Sequence, residues 1–343
     1  MTEFRRRVGM TALVLSIVAA LLSAPAQAAN RAMDIVRISM GSTDDPAYLP
    51  FFVAIDKGYY RQLGLDVKVL YIGGGVATPA LLSGSLEFST STGSAITAIL
   101  KGAELKIVMN LSERLPWKLW ATRPEIKTLQ YLKGKSVGIQ TRGDLFEMSM
   151  RTVLMNAGMD GDAVRYTQLG FGSSARIAAM RQGLLESVML TNLEERILHE
   201  SGMPSGAHIL LDISHTIRVP NNGLVVSDKL IAANPGLVER MMRGTLMAVR
   251  YIKAQREGAL KIYARHATAL SPAVLRNSLD ETAATFLQDG VASPEARQSE
   301  IAIRASILGL EPGQQPVPDT VFDYALARQA AKKLSADQWS ADE

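Results

Sequence analysis

The chain has 343 residues, 47% of them hydrophobic, with 37 lysines and arginines against 33 aspartates and glutamates. The net charge of +4 and the lack of a long basic run argue against a nucleic-acid-binding surface. The sequence contains no cysteine, which excludes disulfides, thiolate metal sites, cysteine nucleophiles and the lipidated cysteine of a lipoprotein.

Residues 1–28 have the three parts of a secretory signal peptide. Arginines at positions 5–7 precede an uncharged stretch over residues 8–22, and small residues follow it. Because that stretch is short for a membrane helix, we predict a cleaved signal rather than an uncleaved anchor. Cleavage is expected after Ala28, with Ala26 as the second choice, and it leaves 34 basic and 32 acidic residues. We expect the mature protein to be free in the periplasm, without a lipid anchor.

The next part of the chain alternates short apolar runs with helix-like stretches, which is typical of a sheet flanked by helices. A first series predicts strands at residues 36–40, 66–71, 86–90 and 106–111, and helices at residues 49–63, 76–82 and 94–101. A second series predicts strands at residues 137–140, 163–168, 188–191 and 208–211, and helices at residues 145–156, 174–182 and 193–200. Two β/α series of similar size indicate two α/β lobes.

The last third of the chain is almost wholly helical after one more apolar run at residues 224–227. Helices are predicted from Pro235 onward and at residues 273–287, 295–308 and 318–334. Since no flexible linker is present, the lobes should be joined by strand crossings, with a return near Pro220. We expect a signal peptide at 1–28, the first part of lobe 1 at 29–122, lobe 2 at 123–220, and a return to lobe 1 with C-terminal helices at 221–343.

One long motif is similar to that of a known family. Residues 54–67, Ala-Ile-Asp-Lys-Gly-Tyr-Tyr-Arg-Gln-Leu-Gly-Leu-Asp-Val, resemble the A-x-D-K-G-x-[FY]-x-x-x-G-L-D-V hallmark of periplasmic substrate-binding proteins of nitrate-, sulfonate- and taurine-type ABC importers. Residues 80–88 resemble that family's A-L-x-x-G-x-x-D-F, residues 132–138 its L-K-G-K-x-V-G, and residues 234–235 its N-P helix start.

The resemblance covers nearly the whole mature chain and implies the type II periplasmic-binding-protein fold. In that fold two doubly wound α/β lobes close on a ligand, which is then delivered to an inner-membrane ABC permease. Two positions depart from the family pattern: Glu87 replaces its aspartate, and residues 184–187 replace its G-x-V-D-A. Both lie where a predicted strand begins, away from the ligand side.

The predicted ligand site lies beyond the carboxyl ends of the strands, where loops and helix N-termini meet. Hydroxyls and backbone N–H groups at helix N-termini suit a carboxylate, a sulfonate or a similar oxyanion. The alternative for Ser42, Thr43 and Ser94 is a role as helix caps or turn residues. The candidates of the first lobe are Ser42, Thr43, Tyr48, Ser91, Thr92, Gly93 and Ser94.

The second lobe offers a strand-to-helix turn with charged residues. Arg142 is either a bidentate partner of a carboxylate or a solvated surface arginine. Asp144 is most simply the N-cap of the helix at 145–156, but facing the cleft it would favour an amine over an anion. The candidates here are Thr141, Arg142, Gly143, Asp144, Phe146, Phe171, Thr191 and Asn192, with Asn221 at the return crossing.

Aromatic side chains allow a ring-bearing ligand. Tyr48 and Phe171 are either an aromatic wall of the site or ordinary packing. Trp117 and Trp120 follow the fourth predicted strand and are expected in the core between the lobes, because tryptophan is usually highly buried.

No enzyme signature accompanies these features. The four histidines show no metal-ligand spacing, and a G-x-S-x-G elbow and a P-loop are both absent. Thiamine-pyrimidine synthases, which resemble this chain in fold and motifs, use a cysteine-rich iron site that it lacks. We therefore predict a monomeric binding protein for a small organic solute, without cofactor or metal. Its partner is a permease or, alternatively, a membrane sensor.

Overall fold

The computed structural model describes residues 32–170 and 172–341, so the predicted signal peptide and Phe171 lie outside the described residues. The strands are β1 (Asp34–Met40), β2 (Leu65–Tyr71), β3 (Phe88–Ser89), β4 (Leu105–Arg114), β5 (Trp117–Ala121), β6 (Ser136–Ile139), β7 (Arg165–Gln168), β8 (Ser187–Thr191), β9 (His208–Asp212) and β10 (Arg218–Ser227).

The helices alternate with these strands and then dominate the C-terminal third. They are α1 (Leu49–Asp56), α2 (Tyr59–Gln62), α3 (Gly74–Ser83), α4 (Thr92–Ile99), α5 (Leu145–Asn156), α6 (Ser173–Gln182), α7 (Asn192–Ser201), α8 (Asp228–Ala233), α9 (Pro235–Ala254), α10 (Arg256–His266), α11 (Pro272–Thr285), α12 (Pro294–Ile307), α13 (Pro318–Val321) and α14 (Ala325–Ala336). None of the helices in the described part of the chain is both long and apolar enough to cross a membrane.

Two mixed five-stranded sheets with the same topology organise the chain, which confirms the predicted two-lobed α/β class. The first has the order β2-β1-β3-β10-β4 and the second the order β7-β6-β8-β5-β9. In each sheet three neighbouring strands are parallel, and the fourth in the order is antiparallel to both of its neighbours. The carboxyl ends of the four strands that run in the same direction therefore lie at one edge of each sheet.

The two motif departures occupy matching positions in the two sheets. Glu87 Oε2 accepts a hydrogen bond from the backbone N–H of Arg37 (2.7 Å), and Glu186 Oε2 accepts one from that of Ser136 (3.0 Å). Each glutamate thus bonds to the backbone of the second strand in the order of its sheet, β1 or β6. The departures from the family pattern therefore leave the fold intact.

Two short crossings carry the chain between the sheets. It leaves the first sheet after Arg114 and enters the second at Trp117, and it returns between Asp212 and Arg218. The outward crossing comes before the lobe boundary expected at residue 122, because β5 was not predicted. The single charged side chain of β5, Lys118, interrupts the apolar run of that strand and pairs with Glu195 of α7 (2.7 Å).

The C-terminal helices complete the core of the first lobe, as predicted. Buried side chains of α9 and α14 belong to the same hydrophobic cluster as β1 and β4. Asn234 caps α9 by accepting a hydrogen bond from the backbone N–H of Leu237 (3.0 Å), in line with the N-P motif. Helix α12 also reaches the second lobe, because Ile303 and Ile307 pack against its core.

The helix predictions were incomplete. The helix expected at residues 49–63 is divided into α1 and α2 at Gly58, whose φ of +74° is readily adopted only by glycine. The helix expected at residues 318–334 is divided by an extended segment at Phe322, which bridges Ile107 of β4. Helices α8 and α10 were not predicted.

We expect Gly223→Ala to destabilise the protein, because a Cβ at this position of β10 would lie 2.0 Å from the carbonyl oxygen of Met109 on β4. Relieving that contact means separating the strands that join the lobes. The unfolding free energy should fall by about 3 kcal/mol, at the upper end of overpacking costs. Gly75→Ala is the control: no atom lies within 4 Å of its Cβ position in α3, so its stability should rise slightly. Equal melting temperatures for the two variants would contradict this account.

Candidate functional site

A cavity of about 220 Å³ lies where the strand exits of the two sheets meet. The loops before α1 and α4 line it from the first lobe, and the starts of α5 and α7 line it from the second. Helix α11 and the two crossings complete its walls. The cavity is therefore enclosed by parts of the chain that are far apart in sequence.

Ten of the sixteen predicted site residues line this cavity, namely Tyr48, Ser91, Thr92, Gly93, Ser94, Asp144, Phe146, Thr191, Asn192 and Asn221. Five others, Ser42, Thr43, Thr141, Arg142 and Gly143, do not line it. The remaining one, Phe171, lies outside the described residues.

Local partners explain why charged and hydroxyl side chains of these turns stay out of the cavity. The Arg142 side chain is 49% exposed, and its Nη1 pairs with Glu147 Oε1 (2.7 Å), as in the surface alternative. Ser42 donates its hydroxyl to Asp44, two residues on. Thr141 uses its backbone N–H to hold Asp144 Oδ2 (2.8 Å). These residues shape the turns that carry the site.

The first-lobe wall is built from two turns that end in helix N-termini. Asp45 caps the 3₁₀ turn at residues 46–48 by accepting a hydrogen bond from the Ala47 N–H (2.9 Å). Ser91, the N-cap of α4, makes no side-chain hydrogen bond to that helix. The start of α4 thus offers backbone N–H groups and hydroxyls to a polar atom of a solute.

The second-lobe wall begins with Asp144, which is 5% exposed and combines both predicted roles. It caps α5 by accepting a hydrogen bond from the Glu147 N–H (3.0 Å), and it also lines the cavity. Burial raises the pKa of its carboxyl to about 6, against opposing hydrogen bonds from Glu147 and Thr141. Burial likewise raises the pKa of Asp45 to about 6.

An aromatic pair forms one side of the cavity. Trp117 of β5 packs against Phe146 of α5, with 4.0 Å between ring centres and 31° between ring planes. Both tryptophans are buried, as expected, but only Trp117 contacts the cavity. Trp120 is three residues further along the strand, so it points to the opposite face and packs against Met180 and Leu198.

Sequence reasoning missed the wall contributed by α11. The cavity is lined by Ser278, Glu281, Thr282 and Thr285 of this helix and by Phe286, the residue that follows it. They recur at intervals of three and four residues, the spacing of one helix face. That polar stripe was the available signal, but a stripe of this kind more often faces solvent. Glu281 pairs with Arg196 of α7, which does not itself line the cavity.

The charge balance of the lining is acidic. Asp45, Asp144 and Glu281 line the cavity, against the single cation Arg114. Within residues 32–170 and 172–341, no carboxylate lies within 4 Å of the Arg114 guanidinium. The same part of the chain contains no group of three histidine, aspartate or glutamate side chains arranged to hold a metal ion.

Comparison with known proteins links this architecture to binding proteins. The profile of the family described as NMT1/THI5 like matches residues 45–259. The riboflavin-binding protein RibY of Chloroflexus aurantiacus is 28% identical over 234 residues, which cover 66% of this chain and 65% of RibY. The chain thus spans about two thirds of the length of this curated relative.

Solved structures share the fold at low sequence identity. The alkanesulfonate-binding protein SsuA of Xanthomonas axonopodis has a TM-score of 0.67 and 19% identity, covering 86% of this chain and all of its own. The periplasmic nitrate-binding protein NrtA of Synechocystis has a TM-score of 0.68 and 14% identity, covering 89% and 91%. A desulfurization enzyme, DszB, also has this fold, with a TM-score of 0.61 and 13% identity, covering 88% and 99%.

These matches confirm the fold that the 54–67 motif predicted. The periplasmic-binding-protein architecture extends over most of the chain, including the C-terminal helices. Because the family profile spans more than half of the chain, the protein belongs to the NMT1/THI5-like family.

Proposed function

We propose that this protein is a solute-binding protein that encloses a small organic molecule between its lobes and delivers it to an ABC-type permease of the inner membrane. The observation that carries the proposal is a cavity at the facing strand exits, lined by both lobes. Such a position is where open α/β sheets bind ligands. The names of the structural relatives, which are mostly binding proteins, support the same role.

Lobe closure is the proposed mechanism. A solute that contacts Ser91 and Thr92 on one lobe and Thr191 and Asn192 on the other binds fully only when the lobes are together. Its binding therefore shifts the population toward the closed form by its differential affinity. The closed form presents surfaces of both lobes side by side, which a permease can distinguish from the open form.

We favour a planar aromatic solute over a small oxyanion. The Trp117–Phe146 pair offers a flat apolar surface, and Tyr48 and Phe286 add further aromatic lining. The lining has three carboxylates, of which Glu281 is paired with Arg196, and one arginine, a balance that favours an uncharged ring over a sulfonate or nitrate. The riboflavin named for RibY is a solute of this kind. Hydroxyl and amide side chains would then bind its polar edge.

We further propose that the protein works as a monomer in the periplasm, after cleavage behind Ala28, and that it has no catalytic activity. The periplasmic location named for NrtA supports the proposed location. The absence of cysteine from the sequence supports the proposed lack of catalytic activity, since the thiamine-pyrimidine synthases resembled by this chain need a cysteine-rich site. The enzyme alternative rests on DszB, which shares the fold.

Riboflavin should raise the melting temperature of the mature protein, because a ligand that binds only the folded state stabilises it. At a riboflavin concentration 100 times the Kd, the free energy of unfolding rises by about 2.7 kcal/mol. The measurement is a thermal-shift panel with riboflavin, an aromatic carboxylate, an alkanesulfonate, nitrate and an aliphatic amine, followed by calorimetric titration of each responder. A response to alkanesulfonate or nitrate alone would refute the aromatic preference. Turnover of any probe would favour the enzyme alternative.

Trp117→Leu should weaken riboflavin binding about tenfold, since aromatic stacking contributes roughly 0.5–1.5 kcal/mol beyond the area that it buries. Trp120→Leu is the matched control, because Trp120 lies on the same strand but outside the cavity. It should lower the melting temperature without changing the Kd of the folded protein. Titrations that show equal loss of affinity for both variants would remove the aromatic pair from the site.

The cavity carboxylates predict a pH dependence of stability. The pKa of Asp45 is raised by burial to about 6 from an ordinary value of 3.8, so the folded state holds the proton more tightly than the unfolded state. Stability therefore falls as pH rises from about 4 to about 6. Asp144 contributes in the same window. Asp45→Asn keeps an acceptor for the Ala47 N–H and should remove about half of this fall.

Urea unfolding between pH 3 and pH 7 measures this effect. The control is Asp162→Asn: the hydrogen bond from Arg151 lowers the pKa of the Asp162 carboxyl, so its contribution changes only below about pH 4. Between pH 4 and pH 6, the unfolding free energy of that variant should fall with pH as steeply as that of wild type. An Asp45→Asn curve as steep as wild type in that window would contradict the burial of this carboxyl.

A further inference from the structure

A buried ion pair lies behind the cavity wall without lining the cavity itself. Arg176 of α6 is 2% exposed and Glu194 of α7 is fully buried. Arg176 Nε donates to Glu194 Oε1 (2.7 Å), and Arg176 Nη1 donates to the carbonyl oxygen of Gly170 (2.6 Å). The pair thus joins α6, α7 and the loop before α6.

The arginine of this pair supports the aromatic side of the cavity. Its guanidinium carbon lies 5.3 Å from the centre of the Phe146 ring, within the range of a cation–π contact. Phe146 in turn packs against Trp117. The aromatic pair is therefore in contact with a charged side chain that does not line the cavity.

The glutamate of the pair supports the opposite wall of the second lobe. Glu194 Oε2 accepts a hydrogen bond from the backbone N–H of Thr191 (2.8 Å), and the Glu194 N–H donates to Thr191 Oγ1 (3.3 Å). This capping box fixes the start of α7, where Thr191 and Asn192 line the cavity. One ion pair thus connects the aromatic pair to the polar wall.

Stability alone does not account for such a pair. Removing two charges from water is unfavourable, and well-packed apolar residues often replace a buried pair without loss of stability. The positive charge of Arg176 also lowers the pKa of Asp45, a cavity residue, against the burial that raises it. The charge of the pair thus acts on a residue of the cavity.

We infer that Arg176 is a positioning residue for solute binding, which with Glu194 holds the Trp117–Phe146 pair and the Thr191–Asn192 wall in one fixed arrangement around an aromatic ring. The inference rests on the proposed function, since it names how that same site holds its solute. It assigns specificity to two residues that lie outside the cavity.

The test replaces the whole pair, because a single substitution would leave one buried charge unpartnered and prevent folding. Arg176→Met/Glu194→Met removes both charges and keeps apolar volume. The control is Arg297→Met/Asp319→Met. Arg297 Nη1 also pairs with a carboxylate, that of Asp319 (2.7 Å), and the Arg297 guanidinium carbon lies 5.6 Å from the centre of the Tyr324 ring, but neither residue of this pair lines the cavity.

Two readouts separate positioning from general loosening. The first is acrylamide quenching of fluorescence in the ligand-free protein, measured with Trp117 as the sole tryptophan and, separately, with Trp120 as the sole tryptophan. Trp120 packs against Met180 and Leu198 of the same two helices, so a purely structural role of the pair would expose it as well. The second readout is the Kd of riboflavin.

We expect quenching of Trp117 to rise about twofold in Arg176→Met/Glu194→Met and the Kd of riboflavin to rise about tenfold, since both aromatic contacts loosen. Quenching of Trp120 and all values for the Arg297 control should stay as in wild type. Unchanged Trp117 quenching, or an equal rise for Trp120, would overturn the inference. If wild-type protein fails to bind riboflavin, the proposed solute class fails, and Trp117 quenching alone decides the role of Arg176.

Discussion

A close approach between the two lobes, at the starts of α4 and α5, sets the geometry of the cavity. Helices α4 and α5 begin in contact, since a Cβ on Gly93 would lie 3.1 Å from the backbone nitrogen of Leu145. Beside this contact, Arg304 Nη1 donates to Thr97 Oγ1 (2.5 Å) on the first lobe and to the carbonyl oxygen of Gly143 (3.1 Å) on the second. Only a residue without a side chain allows two helix N-termini to meet so closely, and their meeting encloses the cavity.

Much of this arrangement was predictable because it follows from local patterns. Alternating apolar runs and helical stretches indicated two α/β lobes, and the motif at residues 54–67 indicated the fold. Ligands bind at strand exits in such folds, and this rule selected a set of loops. Most of the residues selected in these loops line the cavity. The fold is confirmed, and these loops lie at the cavity, because strand ends and helix starts are encoded within a few residues of each other, as with Asp144, which caps α5 and lines the cavity.

The rest depended on tertiary contacts that no local pattern encodes. Arg142 and Asp144 are two residues apart in one turn, yet one pairs with Glu147 at the surface and the other faces the cavity. Strand β5 brings Trp117 to the site and Trp120 to the core, a difference set by the register of the strand. The polar stripe of α11 is typical of a solvent-facing surface, and only the packing of this helix beside α7 places the stripe at the cavity.

The C-terminal helices determine how such a structure can open. Helix α12 packs on the first lobe through Ile301 and on the second through Ile303 and Ile307, and Glu281 of α11 pairs with Arg196 of the second lobe. In the proposed mechanism, opening would break the polar contact between Glu281 and Arg196 while the apolar contacts of α12 slide. Because hydrogen bonds to water replace the polar contacts, their net contribution is small, about 1 kcal/mol each. On that proposal, these contacts favour closure without a solute only weakly, and the solute would supply the remaining difference between the two states.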